Sequence, residues 1–215
     1  MKTIRITGKG NLKVRPDTTR IIITLEKVCR EYGDALRNSS ENTESLRDLL
    51  KRLGFERTDL KTLNFHVDTE YENYRENDVY KQRMVGYRYR HVMKVEFPSD
   101  NERLGRILYA LASSPVNPEF RISYVVSDPE AKKNELLENA VRDARIKAEV
   151  LTRAAGVTLK DIWSIDYSWG EVDFEVRPME ELRMAKFDGG GSFDMDIEPD
   201  DIDMSDTVTV TWEIV

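Results

Sequence analysis

Residues 127–156 read SDPEAKKNELLENAVRDARIKAEVLTRAAG. Ser127 or Asp128 can cap a helix, Pro129 suits its first turn, and Gly156 suits its stop. The spacing therefore predicts a helix over Pro129–Ala155. Its apolar stripe is unusual: Leu136, Leu137, Ala140, Val141, Ala144, Ala148, Leu151, Ala154 and Ala155. Alanines four residues apart fall on one line, because a turn takes 3.6 residues. Leucine there would bury more area, at about 0.8 kcal/mol per methylene. Methyl-sized side chains instead let the helix axis come close to its partner. The expectation is a helix laid flush on a β-sheet, a helix–helix assembly seam being the alternative.

Working outward, Thr3–Val14 alternates as a strand, with Gly8 and Gly10 marking a bulge or a close backbone approach. A second strand follows at Thr18–Arg30, and Pro16-Asp17 suggests that the two form a hairpin. A helix is expected from Tyr32 to Leu53, its stripe being Leu36, Thr43, Leu46, Leu50 and Leu53 and its polar block Arg37–Ser45 facing water. Strands at Leu60–Tyr74 and Val85–Phe97 read as a second hairpin. In the latter Tyr87, Tyr89, His91, Met93, Val95 and Phe97 share a face, opposite Arg88, Arg90, Lys94 and Glu96. A short helix follows at Ser99–Ser114, capped by Ser99 or Asp100. Strands at Phe120–Asp128, Leu159–Trp169 and Asp206–Val215 complete the set. The order β-β-α-β-β-α-β-α-β-β predicts an α+β fold: antiparallel sheets with helices on one face. Strand–helix–strand–strand occurs twice, about 18–97 and 120–215, as two halves of one domain spanning 1–215.

The 215 residues carry a net charge of -7, with 40% hydrophobic and 34% charged side chains. No apolar run approaches a membrane span. The N-terminus, MKTIRITGKG, has no apolar signal core, so cytoplasm is expected, with an exported protein that has lost its leader as the alternative. Cys29 stands alone, which fits a reducing compartment. The acidity is concentrated between Phe187 and Asp206, where eight acids meet no Lys or Arg. This lies in a glycine-broken stretch, 170–205, expected to be a mobile insert. The remainder is near neutral, which argues against a nucleic-acid partner.

The alanine-rich helix resembles that of the SIMPL-domain family, the YggE-like proteins. Gly8-Lys9-Gly10 leading to Pro16-Asp17 is similar to the family's opening segment. Leu53-Gly54, Asp59 and Thr62-Leu63-Asn64-Phe65 resemble its helix-to-strand passage, and Val85-Gly86-Tyr87 its central strand. The segment IEPDDIDMSDTVTVTWEI (197–214) resembles its closing strand. The resemblance implies an α+β fold and, in some members, large ring- or cage-like oligomers. It also implies stress defence in some bacteria and kinase-associated signalling in animal relatives. It implies no catalytic residues to carry over.

The chemistry-bearing residues are few. His66 and His91, the two histidines, lack a partner in sequence and read as a surface and a packed side chain. Cys29 reads as a structural thiol despite Arg30 beside it. Asp194, Asp196 and Glu198 match the start of a calcium loop, but Pro199 stands where glycine is needed and Ser205 where glutamate is needed. GKGN and DGGGS fit no phosphate loop. Tyr71, Tyr74 and Tyr80, with Arg75, are candidates for a partner contact. The expectation is a non-enzymatic protein with no catalytic, cofactor-binding or metal residues and no cofactor. It would act by self-assembly or by binding a protein partner, possible sites being sheet edges and the Tyr71–Tyr80 hairpin. The rival is an enzyme or ligand-binding protein whose site is assembled only in three dimensions.

Overall fold

A computed structural model describes residues 2–76, 79–167, 175–176 and 197–215. The elements are β1 (Lys2–Val14), β2 (Thr18–Cys29), α1 (Tyr32–Arg52), β3 (Lys61–Glu76), β4 (Val79–Pro98), α2 (Asn101–Ala112), β5 (Glu119–Val125), α3 (Pro129–Ala155), β6 (Leu159–Asp166), β7 (Glu175–Val176) and β8 (Ile202–Ile214). The fold is α+β, and its paired hairpins and sheets are antiparallel. The residues divide into two compact units. One holds β1, α3, β6 and β8; the other holds β2, α1, β3, β4, α2 and most of β5.

In the first unit α3 forms as its sequence dictates. Asp128 accepts a hydrogen bond from the Ala131 N–H, Pro129 fills the first turn, and Gly156 closes the helix at φ 69°. Ala140, Ala144 and Ala148 are fully buried against Val208, Val210 and Trp212 of β8, with Ile4, Ile6 and Leu159 packed around them. The strand beneath is stripped to match. A Cβ placed on Gly8 would lie 2.0 Å from the Ala140 carbonyl oxygen, and one on Gly10 would lie 2.1 Å from that of Leu136. Glycine below and alanine above let backbone meet backbone, which is the close approach the sequence predicts. The last turn differs from expectation. Thr152 takes the buried position, donating to the Ala148 carbonyl at 2.8 Å, while Leu151 is half-exposed and Ala154 and Ala155 are exposed.

The expected β1–β2 hairpin is not formed. β1 pairs along its whole length with β8, from Lys2 opposite Ile214 to Val14 opposite Ile202, while β2 pairs with β4. The chain's first and last strands thus make one ladder, in a sheet ordered β1-β8-β6. β8 also begins earlier than expected, at Ile202. Asp203 and Asp206 of the acidic run therefore lie in the ladder, opposite Lys13 and Gly10. Asp188, Asp194 and Asp196 of that run, and most of the stretch expected to be a mobile insert, lie outside the described residues.

The second unit packs α1 and α2 on a sheet in which β3, β4, β2 and β5 lie in that order. Its core is Ile21, Ile23 and Leu25 of β2, Met93, Val95 and Phe97 of β4, Leu46 and Leu50 of α1, and Leu104, Ile107, Leu108 and Leu111 of α2. β4 shows its expected two faces, and α2 is capped by Asp100 as expected. α1 buries Thr43, Leu46 and Leu50 as expected and departs from expectation in its first turns. Ala35, Ser39, Thr43, Leu46, Leu49 and Leu50 are buried, whereas Leu36 is exposed. The polar block thus contributes Ser39 to the interior in addition to the expected Thr43. Thr43 manages this by donating to the Ser39 carbonyl at 2.7 Å.

The units share a topology. β2-α1-β3-β4 and β1-α3-β6-β8 are each strand–helix–strand–strand, with the last strand between the first and the middle one. The first strand of the second set is β1, not β5.

Candidate functional site

The β3–β4 hairpin outruns its sheet. β2 stops at Cys29, opposite Tyr87, where the chain turns into α1. β3 and β4 continue, pairing among the described residues only with each other, from Glu70 opposite Gly86 out to Glu76 opposite Val79. The outer part is a two-stranded arm, and such a ribbon is marginally stable alone in water.

The root of the arm is fixed by charge and by close packing. Arg88 donates to both carboxylate oxygens of Glu70, at 2.8 and 2.5 Å, and also to Glu26. One guanidinium thereby ties β2, β3 and β4 where the sheet narrows. The paired charges hold the Glu70 carboxyl below, and the Arg88 guanidinium above, their ordinary pKa. At the same level Gly86 has φ 155°, and a Cβ there would lie 2.2 Å from the Cys29 carbonyl oxygen. Only glycine lets β4 pass under the end of β2. The Cys29 side chain is buried nearby. A register shift between Glu70 and Tyr71 then sets the twist of the arm.

Along the arm, Tyr71 opposes Met84, Asn73 opposes Gln82, and Arg75 opposes Tyr80. Alternate pairs bring Glu72 to Arg83 and Tyr74 to Lys81. Arg75 lies over the Tyr80 ring at 5.8 Å and Arg83 over the Tyr74 ring at 5.6 Å. Arg83 also pairs with Glu72 at 2.7 Å. Cross-strand pairs therefore hold the ribbon in register while its large side chains face water: Tyr80 is 79% exposed, and Tyr71, Val79 and Met84 are exposed as well. Three of the four residues named from sequence as a partner contact, Tyr71, Tyr80 and Arg75, share one face, and Tyr74 takes the other. The length of the arm was not legible, because β2's end decides it.

The other candidates lie elsewhere. His91 is wedged between α1 and β3: Nε2 is 2.9 Å from Thr62 Oγ1 and Nδ1 is 3.1 Å from Thr43 Oγ1. Thr43 has one hydroxyl proton, which it gives to Ser39, so Nδ1–H donates to Thr43 and Nε2 accepts from Thr62. Burial, with the nearby Arg47 charge, pushes the His91 pKa below its ordinary 6.5. His66 sits at the surface, 3.5 Å from Asp68. Asp194 and Asp196 lie outside the described residues. Among the described residues, no group of three His, Cys, Asp or Glu could hold a metal ion. A polar cavity of about 360 Å³ is lined by Thr24, Glu26, Lys27, Val28, Arg88, Asn117 and Glu119. Its Arg88 is committed to carboxylates. A second, of about 490 Å³, lies over Lys9–Lys13 and Asp203–Ser205, where Lys13 and Asp203 pair at 3.6 Å.

Comparison with known proteins decides the family. The profile of SIMPL, described as a protein of unknown function (DUF541), matches residues 4–212. The chain belongs to the SIMPL family. Relatives include the "Uncharacterized protein YggE" of Edwardsiella ictaluri, 23% identical over 160 residues, or 74% of this chain and 65% of the relative. The "26 kDa periplasmic immunogenic protein" of Brucella melitensis biotype 1 is 26% identical over 157 residues, covering 73% of this chain and 62% of the relative. The protein of that name in Brucella abortus matches equally. The chain thus spans less than two thirds of the length of these relatives. The SIMPL match takes in most of β1 and most of β8, so most of the ladder of first and last strands lies within the family's own extent. No helix among the described residues is long and apolar enough to cross a membrane.

Proposed function

We propose that this SIMPL-family chain is a non-enzymatic association module, and that the β3–β4 arm is its docking element. One observation carries the reading. Beyond Tyr87 the arm is, among the described residues, a two-stranded ribbon with Tyr71, Val79, Tyr80 and Met84 exposed, rooted by the Arg88 clamp. Exposed aromatics of this kind are enriched at protein interfaces, and a marginal ribbon gains order when a partner covers it. The occupant is a second copy of the chain, a different protein partner being the other outcome. Two of the polar groups near the arm are already engaged: His91 by two threonines, Arg88 by two glutamates. The Brucella relatives are named periplasmic, which favours export over the cytoplasmic expectation. Fractionation of cells expressing the native gene decides that point.

Light scattering on the eluting protein tests the reading. The chain of 25.0 kDa is expected to elute at a multiple of that mass. A variant joining Tyr71 to Met84 through an Asn-Gly turn removes the outer arm while keeping a hairpin end. It is expected to fold and to lose mass. Equal masses for the two proteins would reject the arm as the docking element.

A further inference from the structure

The polar cavity of about 360 Å³ lies on the face of its sheet that points away from α1 and α2. Ile21, Ile23 and Leu25 of β2 are buried in the core with those helices. Alternation along the strand therefore turns Thr24, Glu26 and Val28 the other way. On β4, Arg88 stands opposite Val28, on that same face. On β5, Phe120 and Ile122 pack against the core, which turns Glu119 to the cavity side. Asn117, two residues earlier, sits in the left-handed region at φ 47°, a conformation asparagine adopts more readily than most residues. Two strands and the turn before a third thus line one hollow.

The lining groups are unequally committed. Glu26 accepts from Arg88 and lies 3.6 Å from Arg90, and Arg88 also donates to both oxygens of Glu70. Those two acids and two bases cancel. Lys27 sends its ammonium to Asn38 Oδ1 of α1, at 2.8 Å, on the helix side of the sheet. Glu119 is different. It is exposed and has no hydrogen bond or ion pair among the described residues. Arg121, the next cation along β5 on the same face, makes no pair with it. Thr24 is only 9% exposed, yet its hydroxyl has no partner among the described residues. A hydroxyl withdrawn from bulk water is costly unless something in the cavity bonds it. The Asn117 side-chain amide is equally unengaged among the described residues, and Val28, 41% exposed, supplies an apolar wall.

We infer that this cavity is a binding site for a small alkylammonium ion. An ammonium group carries three donors and no acceptor. The Glu119 carboxylate, Asn117 Oδ1 and the Thr24 hydroxyl oxygen are three acceptors, and the first brings the charge that the ion neutralises. The alkyl chain lies along Val28. An anion is disfavoured, because the uncompensated charge is negative and the Arg88 guanidinium is held by two carboxylates. The volume is at the small end of ligand sites, so the ligand is a short chain: a free amine or a lysine side chain. The site uses none of the exposed residues of the arm and does not depend on the association reading.

NMR titration of the full chain at low ionic strength tests it, since salt screens an exposed carboxylate. The titrants are butylammonium, diaminobutane and the methylamide of Nα-acetyl-lysine, with butanol as the uncharged control. Butylammonium is expected to give saturable shifts confined to the amides of Thr24–Val28, Asn117 and Glu119, and butanol none. Glu119→Gln keeps the shape, removes the charge and is expected to weaken binding about tenfold. Thr24→Val should weaken it several-fold. Glu102→Gln, at an exposed carboxylate of α2, should leave the affinity unchanged. The site is overturned by shifts that never saturate or that spread over the surface carboxylates. It is also overturned if butanol binds as well as butylammonium, or if Glu119→Gln changes nothing. Binding of the two amines without the lysine derivative supports the site and makes its ligand a free amine. Equal binding of all three supports it and extends it to a lysine side chain.

Discussion

Gly8 lies so close beneath Ala144 that a methyl group added to the glycine would sit 2.7 Å from the alanine Cβ and 2.5 Å from its amide nitrogen. The two residues are one packing device. The glycine removes the last obstacle on β1, and the alanine keeps α3 thin enough to use the space. Gly8→Ala must lift the helix, because its worst clash is with backbone. Overpacking of this kind costs about 1–3 kcal/mol, and the upper part of that range is expected here. Gly33→Ala, where nothing lies within 4 Å, is the control and is expected to be neutral or mildly stabilising. Urea unfolding of the two variants measures the difference.

Asp143 guards the β1 edge and should make stability acid-sensitive. Its carboxyl is held below the ordinary 3.8 by the Lys147 ammonium and by the Lys9 N–H. A depressed carboxyl contributes stability that is present above its unfolded pKa and lost as pH falls through the folded value. Asp143→Asn is therefore expected to cost about 1 kcal/mol at neutral pH. It should also flatten the loss of stability below about pH 4. Identical acid-unfolding curves would refute this.

His91 acts in the same direction through a different group. Its pKa is pushed down, chiefly by burial, so the unfolded chain takes up a proton more readily than the native one. Its contribution is complete above the unfolded value near 6.5 and diminishes as pH falls below it. An NMR titration should place the His91 midpoint below 6.5. A midpoint at or above that value would contradict the buried, doubly bonded ring. Thr62→Val removes the Nε2 partner and should shift the His91 midpoint.

Tyr89 is fully buried, and its hydroxyl accepts from Asn42 Nδ2 at 2.8 Å. Asn42→Ala strands that hydroxyl and is expected to cost about 1–3 kcal/mol. Adding Tyr89→Phe to Asn42→Ala should recover part of the loss. Strict additivity in a double-mutant cycle would show that the bond contributes nothing.

Much of this architecture was legible because it is local. The caps, proline and glycine of α3 fix its ends, and two-residue alternation fixes the faces of β4. The first turns of α1 were misread because hydrophobicity marks Leu36, whereas the buried line runs through Ala35 and Ser39 to Thr43. Small side chains serve α1 as alanines serve α3, and Thr43 conceals its polarity by bonding the preceding turn. The β1–β8 ladder was not legible. Its partners lie at opposite ends of the chain, and Pro16-Asp17 is equally compatible with a hairpin or a crossing. Instead Asp17 accepts from the Ser127 N–H and hydroxyl at 2.8 and 2.6 Å, which no local signal announces. The candidate arm was half legible: its tyrosines mark the tip, but its freedom depends on where β2 stops.

Hydrogen exchange of the arm amides, Tyr71–Arg75 and Tyr80–Met84, measured across protein concentration, tests the docking account most directly. Docked arms should exchange slowly at high concentration and rapidly on dilution, while the β4 amides from Met93 to Phe97 stay protected throughout. Rapid arm exchange at every concentration would contradict the account, since the ribbon would then have no partner to hold it.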